Sequence, residues 1–136
     1  MLPPWLQPHA ARPLGALIDH TLLKAEATAD DVERLAKEAV CFGFGAVCVN
    51  GQWVGLVADR LRGRGVKVVG VVGFPLGASG LVSKAAETRL IVADGASEVD
   101  MVLPLGSVKG ARWEDVRDEV LAVVDAARGH PVKAIV

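Results

Sequence analysis

Strand-like and helix-like segments alternate strictly along this chain, and that order limits its folds more than any single residue does. Residues 18–22, Ile-Asp-His-Thr-Leu, read as a first short strand. Thr28 has the character of an N-cap, with Asp31 placed to answer it in the first turn. Val32, Leu35, Ala36, Ala39 and Val40 follow at helical spacing and predict one apolar face, and Gly43 stops that helix. Residues 46–49 make a second apolar strand, closed by Asn50 and Gly51. Val54, Val57, Ala58 and Leu61 mark a second helix ending near Gly63 and Gly65. Residues 66–72 are almost wholly apolar, as expected of a strand covered on both faces. A glycine-rich loop fills 73–80, a third helix runs from about residue 82 to 94, and residues 97–103 form a fourth strand. Pro104, Gly106 and Gly110 predict a loop. The next helix carries Trp113, Val116, Val120, Val123, Val124 and Ala127 on its inner face. Gly129, His130 and Pro131 end it, and residues 132–136 open a fifth strand.

Such an order implies parallel strands joined by right-handed crossovers. An open doubly wound sheet and a (β/α)8 barrel both satisfy it. Eight strand–helix units need roughly 200 to 250 residues, and this chain has 136. Residue 136 falls inside a strand, so the expectation is the front part of a larger α/β enzyme. Residues 1–16 form a separate N-terminal arm in this reading, with 5–11 either a helix or a loose terminus.

Hydrophobic residues make up 51% of the chain, enough for a real core, and the formal net charge is −1. No broad basic field is therefore expected to hold nucleic acid or an acidic membrane surface. No stretch has the length of a membrane span, and the start lacks a secretory signal. Cys41 and Cys48 match no usual zinc spacing and read as two reduced thiols.

The sharpest chemical feature is Glu98-Val99-Asp100-Met101-Val102. Alternation along a strand puts Glu98 and Asp100 on one face. A carboxylate inside a sheet costs several kcal/mol unless it is paired or protonated. For Glu98 the favoured reading is a structural ion pair, with Lys133 on the next strand as the candidate partner. Asp100 lies nearer the C-terminal end of its strand, where barrel enzymes place their catalytic groups, and a functional role is favoured there. Lys133 has two competing readings: a desolvated lysine of lowered pKa, or only the partner of Asp100. Cys48 reads as a small buried hydrophobe, because no histidine is placed to activate it. Asp19, His20 and Thr21 close the first strand, with loop ordering and a site role evenly matched. The glycine loops fit neither a dinucleotide fingerprint nor a Walker loop.

Taken together, residues 19–24 (Asp-His-Thr-Leu-Leu-Lys), Val47-Cys48-Val49, residues 72–77 (Val-Gly-Phe-Pro-Leu-Gly), Ala86-Glu87-Thr88-Arg89 and residues 98–102 resemble the 2-deoxyribose-5-phosphate aldolases, in order and in spacing. The resemblance implies a TIM barrel represented by about its first four strand–helix units plus the start of strand five. It implies a cytoplasmic lyase that cleaves 2-deoxy-D-ribose 5-phosphate reversibly to acetaldehyde and D-glyceraldehyde 3-phosphate, in deoxyribonucleoside catabolism. The chemistry is class I, through a lysine Schiff base, with no metal and no organic cofactor. Partners are then a small phosphorylated sugar and an aldehyde, with no nucleic acid and no membrane; a homo-oligomer of the full-length protein is compatible with this. By the same resemblance Asp100 is the proton donor and acceptor. Asp19, Thr21 and Cys48 line the substrate site, and Lys133 supports it.

The family's Schiff-base lysine belongs to a Lys-Thr-Ser/Thr motif on the sixth strand, and a further lysine and a phosphate site follow. These 136 residues contain no such motif; Lys84 and Lys109 match neither lysine. The segment alone is therefore expected to be inactive. The competing expectation, from another class, is a complete five-stranded binding module in which the barrel residues are remnants. That module has to bury both edges of its sheet.

Overall fold

The computed structural model describes residues 13–136. Its strands are β1 (Asp19–Leu22), β2 (Ala46–Val49), β3 (Lys67–Val72), β4 (Glu98–Val102) and β5 (Val132–Ile135), paired in parallel in the order β1-β2-β3-β4-β5. The order runs with the sequence and has no switch point, unlike an open doubly wound sheet. Helices α1 (Ala29–Phe42), α2 (Val54–Leu61), α3 (Leu81–Ala93) and α5 (Trp113–Ala126) return the chain between strands. A short helix, α4 (Leu105–Lys109), precedes α5. The proposed arm at 5–11 lies outside the described residues. Next to it, Leu14–Leu17 is a single 3-10 turn.

The apolar residues explain why the sheet has two unlike faces. Val47, Val49, Val68, Val72, Val99 and Met101 meet Val32, Leu35, Val57, Ile91 and Val123 of the helices in one continuous buried cluster. Burying each such side chain contributes about 1.5–3 kcal/mol. The opposite face has only a small cluster of Ala46, Cys48, Val69 and Val71. All the helices of the large cluster therefore cover one face, and the other is the inside of a barrel arc.

Local signals set the ends of these elements. The Thr28 hydroxyl accepts from the Asp31 N–H, and Asp31 Oδ2 accepts from the Thr28 N–H at 3.0 Å. A cap of this kind is worth about 1 kcal/mol. Gly43 ends α1 at φ +67°, in the left-handed region that favours glycine.

Three expectations need correction. Val40 is 40% exposed, Trp113 62% and Val124 43%, so the stripes on α1 and α5 are narrower than the apolar residues suggested. On α5 one inward position is taken instead by Glu119, which is buried. Residues 105–109, read as loop on their glycines, fold as α4, which turns only Ser107 inward.

Candidate active site

Alternation along parallel strands brings Asp19 and Thr21 of β1, Cys48 of β2, Glu98 and Asp100 of β4, and Lys133 of β5 onto the inner face. The register sets Thr21 beside Cys48, and Asp100 beside both Val71 and Lys133. His20 points the other way. Its Nε2 lies 2.8 Å from Glu38 Oε2 of α1, and its ring packs on Phe44. The polar triplet at the end of β1 is thus divided: His20 ties β1 to α1, while its neighbours face the interior.

Lys133 organises this interior. Its Nζ donates to Asp19 Oδ2 at 2.6 Å, and lies 2.8 Å from Glu98 Oε1 and 3.2 Å from Asp100 Oδ1. Asp19 and Lys133 come from the first and last strands. In a flat sheet four strand spacings would separate them by about 19 Å, far beyond the reach of a lysine side chain. The ion pair therefore requires a strongly curled sheet. Lys67 adds a second cation, 3.2 Å from Glu98 Oε2.

These carboxylates occupy different electrostatic positions. Burial alone would raise Glu98, but hydrogen bonds from Lys133 and Lys67 outweigh it and hold the group below its ordinary value. Asp100 moves the other way. Burial raises it, Lys133 only partly offsets this, and the charges of Glu98 and Asp19 push it further up. Among the described residues its Oδ1 is buried without a hydrogen-bond partner, so the 3.2 Å approach of Lys133 is a charge contact and not an aimed N–H. A buried acceptor left in this state is costly to keep.

The two readings of Lys133 now separate. Burial would lower its pKa, but the surrounding carboxylates prevail and raise it. Lys133 is a held ammonium rather than a poised nucleophile. The Cys48 thiol is pushed up to about 12, by burial first and by the Asp100 charge second. At neutral pH it is an unionised thiol and no nucleophile. The Thr21 hydroxyl donates to its neighbour Asp19's carbonyl at 2.8 Å. Among the described residues, no three His, Cys, Asp or Glu side chains converge to hold a metal ion.

A cavity of about 640 Å³ opens at the N-terminal ends of the strands, between residues 43–45, residues 64–67 and the undersides of Glu98 and Lys133. It is the open lower end of the arc. Chemistry in parallel barrels belongs to the opposite end, where the strands finish, and Asp100 lies toward that end.

No family model matches the chain. A deoxyribose-phosphate aldolase of Bdellovibrio bacteriovorus is 50% identical over 123 residues, which are 90% of this chain and 56% of that protein. One of Clostridium botulinum is 46% identical over 123 residues, 90% of this chain and 58% of its own length. The solved deoxyribose-phosphate aldolase of Aeropyrum pernix, described as a tetramer, superposes with a TM-score of 0.81 at 34% identity, covering 89% of this chain and 51% of that one. The chain belongs to the deoxyribose-phosphate aldolase family.

It spans little more than half the length of the relatives it matches. Its five strands correspond to about half of an aldolase barrel. Two buried charges in this aldolase segment escaped the sequence reading. Lys84 of α3 is wholly buried and forms an ion pair with Glu119 of α5. The signal was present: Lys84 shares a helical face with Thr88 and Ile91, and Glu119 shares one with Val116 and Val123, so each interrupts a core-facing stripe. Glu87 was also passed over for its own sake. Its Oε2 accepts from the Gly73 N–H at 2.8 Å and ties the 73–80 loop to α3.

Proposed function

We propose that this chain provides the first five strands of a deoxyribose-phosphate aldolase. The reaction is the reversible cleavage of 2-deoxy-D-ribose 5-phosphate to acetaldehyde and D-glyceraldehyde 3-phosphate through a Schiff base. The observation that carries this reading is Asp100: a carboxylate with one orphaned oxygen and a raised pKa, toward the C-terminal end of a barrel strand. A useful acid–base group has a pKa moved toward the working pH. Asp100 then gives and takes the protons required by carbinolamine dehydration and by cleavage of the C–C bond.

The neighbours hold that group in place. Lys133 limits how far Asp100 rises, and Asp19 and Glu98 anchor Lys133 from two sides. Thr21 and Cys48 line the wall on the β1–β2 side. The Schiff-base lysine and the phosphate site are not among these 136 residues, so the 136-residue polypeptide alone is inactive in this proposal. The intact enzyme is cytoplasmic, takes a phosphorylated sugar and an aldehyde, and assembles as a homo-oligomer. A self-sufficient binding module would bury both sheet edges. Among the described residues β1 and β5 each pair on one side only, which favours the barrel.

A transplant tests the proposal. The 123 matched residues of the Bdellovibrio protein are replaced by those of this chain, and release of acetaldehyde from 2-deoxyribose 5-phosphate is followed. The transplant is expected to cleave the sugar, and Asp100→Asn in it to slow cleavage by roughly 10²- to 10⁴-fold. A folded transplant without activity would overturn the reading.

A further inference from the structure

Lys84 has an unusual environment for a residue outside the site. Its side chain is wholly buried, and its ammonium meets three groups from three elements. Nζ donates to the Gly77 carbonyl at 2.9 Å in the 73–80 loop. It donates to the Val102 carbonyl at 2.7 Å, where β4 ends. The third contact is the Glu119 carboxylate of α5. An ammonium has three donors, and all three are used.

The loop is built to receive this contact. Gly73 and Gly77 both have left-handed backbones, with φ +67° and +62°. A Cβ on Gly73 would lie 2.6 Å from Lys84 Cε, so the lysine stem runs directly beneath that residue. A Cβ on Gly77 would lie 2.1 Å from the Leu103 carbonyl oxygen and 2.9 Å from Val102 Cγ1, so the loop is pressed against the exit of β4. Val102 shares the inner face with Asp100, one alternation further along the strand. The loop that Lys84 grips thus rests on the side chain next above Asp100.

An apolar side chain could fill this space without burying a charge, and burying a charge is costly. What the lysine adds is direction. We propose that Lys84 is a positioning residue: its ammonium, balanced by Glu119, pins the 73–80 loop to the end of β4 and so fixes the rim of the site above Asp100. Only the kinetic arm of the test rests on the aldolase reading.

The first measurement uses the unaltered 136-residue chain labelled with nitrogen-15 and carbon-13. The Lys84 ammonium is expected to give a slowly exchanging signal, with couplings through hydrogen bonds to the carbonyl carbons of Gly77 and Val102. An ammonium in fast exchange with water overturns the proposal. Next, Lys84→Met with Glu119→Met removes both charges and keeps the bulk. This double variant is expected to melt near the parent, while amides of residues 74–80 exchange at least ~10-fold faster and those of β2 are unchanged; a shift of this size corresponds to the loss of one local restraint. A folded double variant with unchanged loop protection overturns the proposal. Should the double variant not fold, Lys84→Met with Glu119→Gln decides: it removes both carbonyl contacts and both charges while keeping a polar group at 119, it is expected to lose loop protection, and unchanged protection in that folded chain overturns the pin.

In the transplanted aldolase, the double variant is expected to lower kcat/KM by roughly 10- to 100-fold, the scale of a small misplacement near reacting groups. An inactive parent transplant counts against the aldolase reading and leaves the spectroscopic arms to judge Lys84. An active parent whose double variant matches it in kcat/KM reduces Lys84 to a stabilising residue and overturns the proposal.

Discussion

Replacing Lys133 with methionine removes the cation shared by three carboxylates and keeps most of the side-chain volume. Asp19, Glu98 and Asp100 then face one another at sites where the ammonium had stood 2.6 to 3.2 Å away. Breaking a fully buried pair from one side costs about 3–5 kcal/mol. Two features reduce that figure. The Lys133 side chain is 45% exposed, and Glu98 keeps Lys67 at 3.2 Å. Among the described residues Asp100 has no second cation. About 2 kcal/mol at pH 7 is the expected loss after discounting for solvent, read as a lower urea midpoint at unchanged slope.

The pH dependence fixes the sign. Glu98 lies below its ordinary value, so its stabilisation is present above pH 4.5 and is lost as pH falls through the lower folded value. Lys133 is raised, so its contribution is whole below 10.5 and disappears as pH climbs through the folded value. The gap between parent and Lys133→Met is therefore widest near neutrality and closes toward both extremes. A gap under about 0.5 kcal/mol at pH 7, or one that widens as the carboxylates protonate, would refute the network.

Asp100→Asn sheds a disfavoured charge while giving up the Lys133 contact, so stability at pH 7 should stay within about 1 kcal/mol of the parent; a loss of more than about 2 kcal/mol would make Asp100 a structural residue. Cys41 is exposed, and Cys48 is buried with its thiol pushed up to about 12. A maleimide at neutral pH should therefore label Cys41 alone until the chain is unfolded, and rapid labelling of Cys48 in the folded chain would contradict that environment. Sodium borohydride with acetaldehyde should ethylate no single lysine of the 136-residue polypeptide ahead of its ordinary exposed ones such as Lys37, and selective, rapid ethylation of one lysine would show that it is a competent nucleophile.

The alternation of strand and helix was legible because β2 and β3 are short apolar runs bounded by glycine, and α1 and α2 repeat their apolar residues at helical spacing. Thr28 with Asp31 and Gly43 gave the limits of α1 from capping chemistry alone. The inward pair Glu98 and Asp100 followed from alternation, and so did the approach of Lys133. Their opposite pKa shifts did not follow, because these depend on how many ammonium groups reach each carboxylate. Lys67 reaches Glu98 and not Asp100 because the register sets Val69 beside Glu98 and Val71 beside Asp100, and strand periodicity does not encode register. The Lys84–Glu119 pair was missed for a similar reason. On a helix wheel a charge within an apolar stripe looks like an edge residue until its partner on another helix is located. Trp113 and Val124 erred the opposite way, since apolar character does not guarantee a neighbour to pack against. The separation of His20 from Asp19 and Thr21 could have been read from strand alternation, but the three polar side chains were taken together.

The proposed division of labour on the inner face leaves Asp100 to exchange protons while Glu98 stays locked in ion pairs. Carbon-13 titration of the side-chain carboxyls tests it, with Asp100 assigned through Asp100→Asn and Glu98 through Glu98→Gln. Asp100 is expected to titrate above its ordinary value of 3.8 and Glu98 below its ordinary value of 4.5. An Asp100 midpoint at or below 3.8 would mean that Lys133 has locked it as well, and that the proton exchanger of this site lies elsewhere.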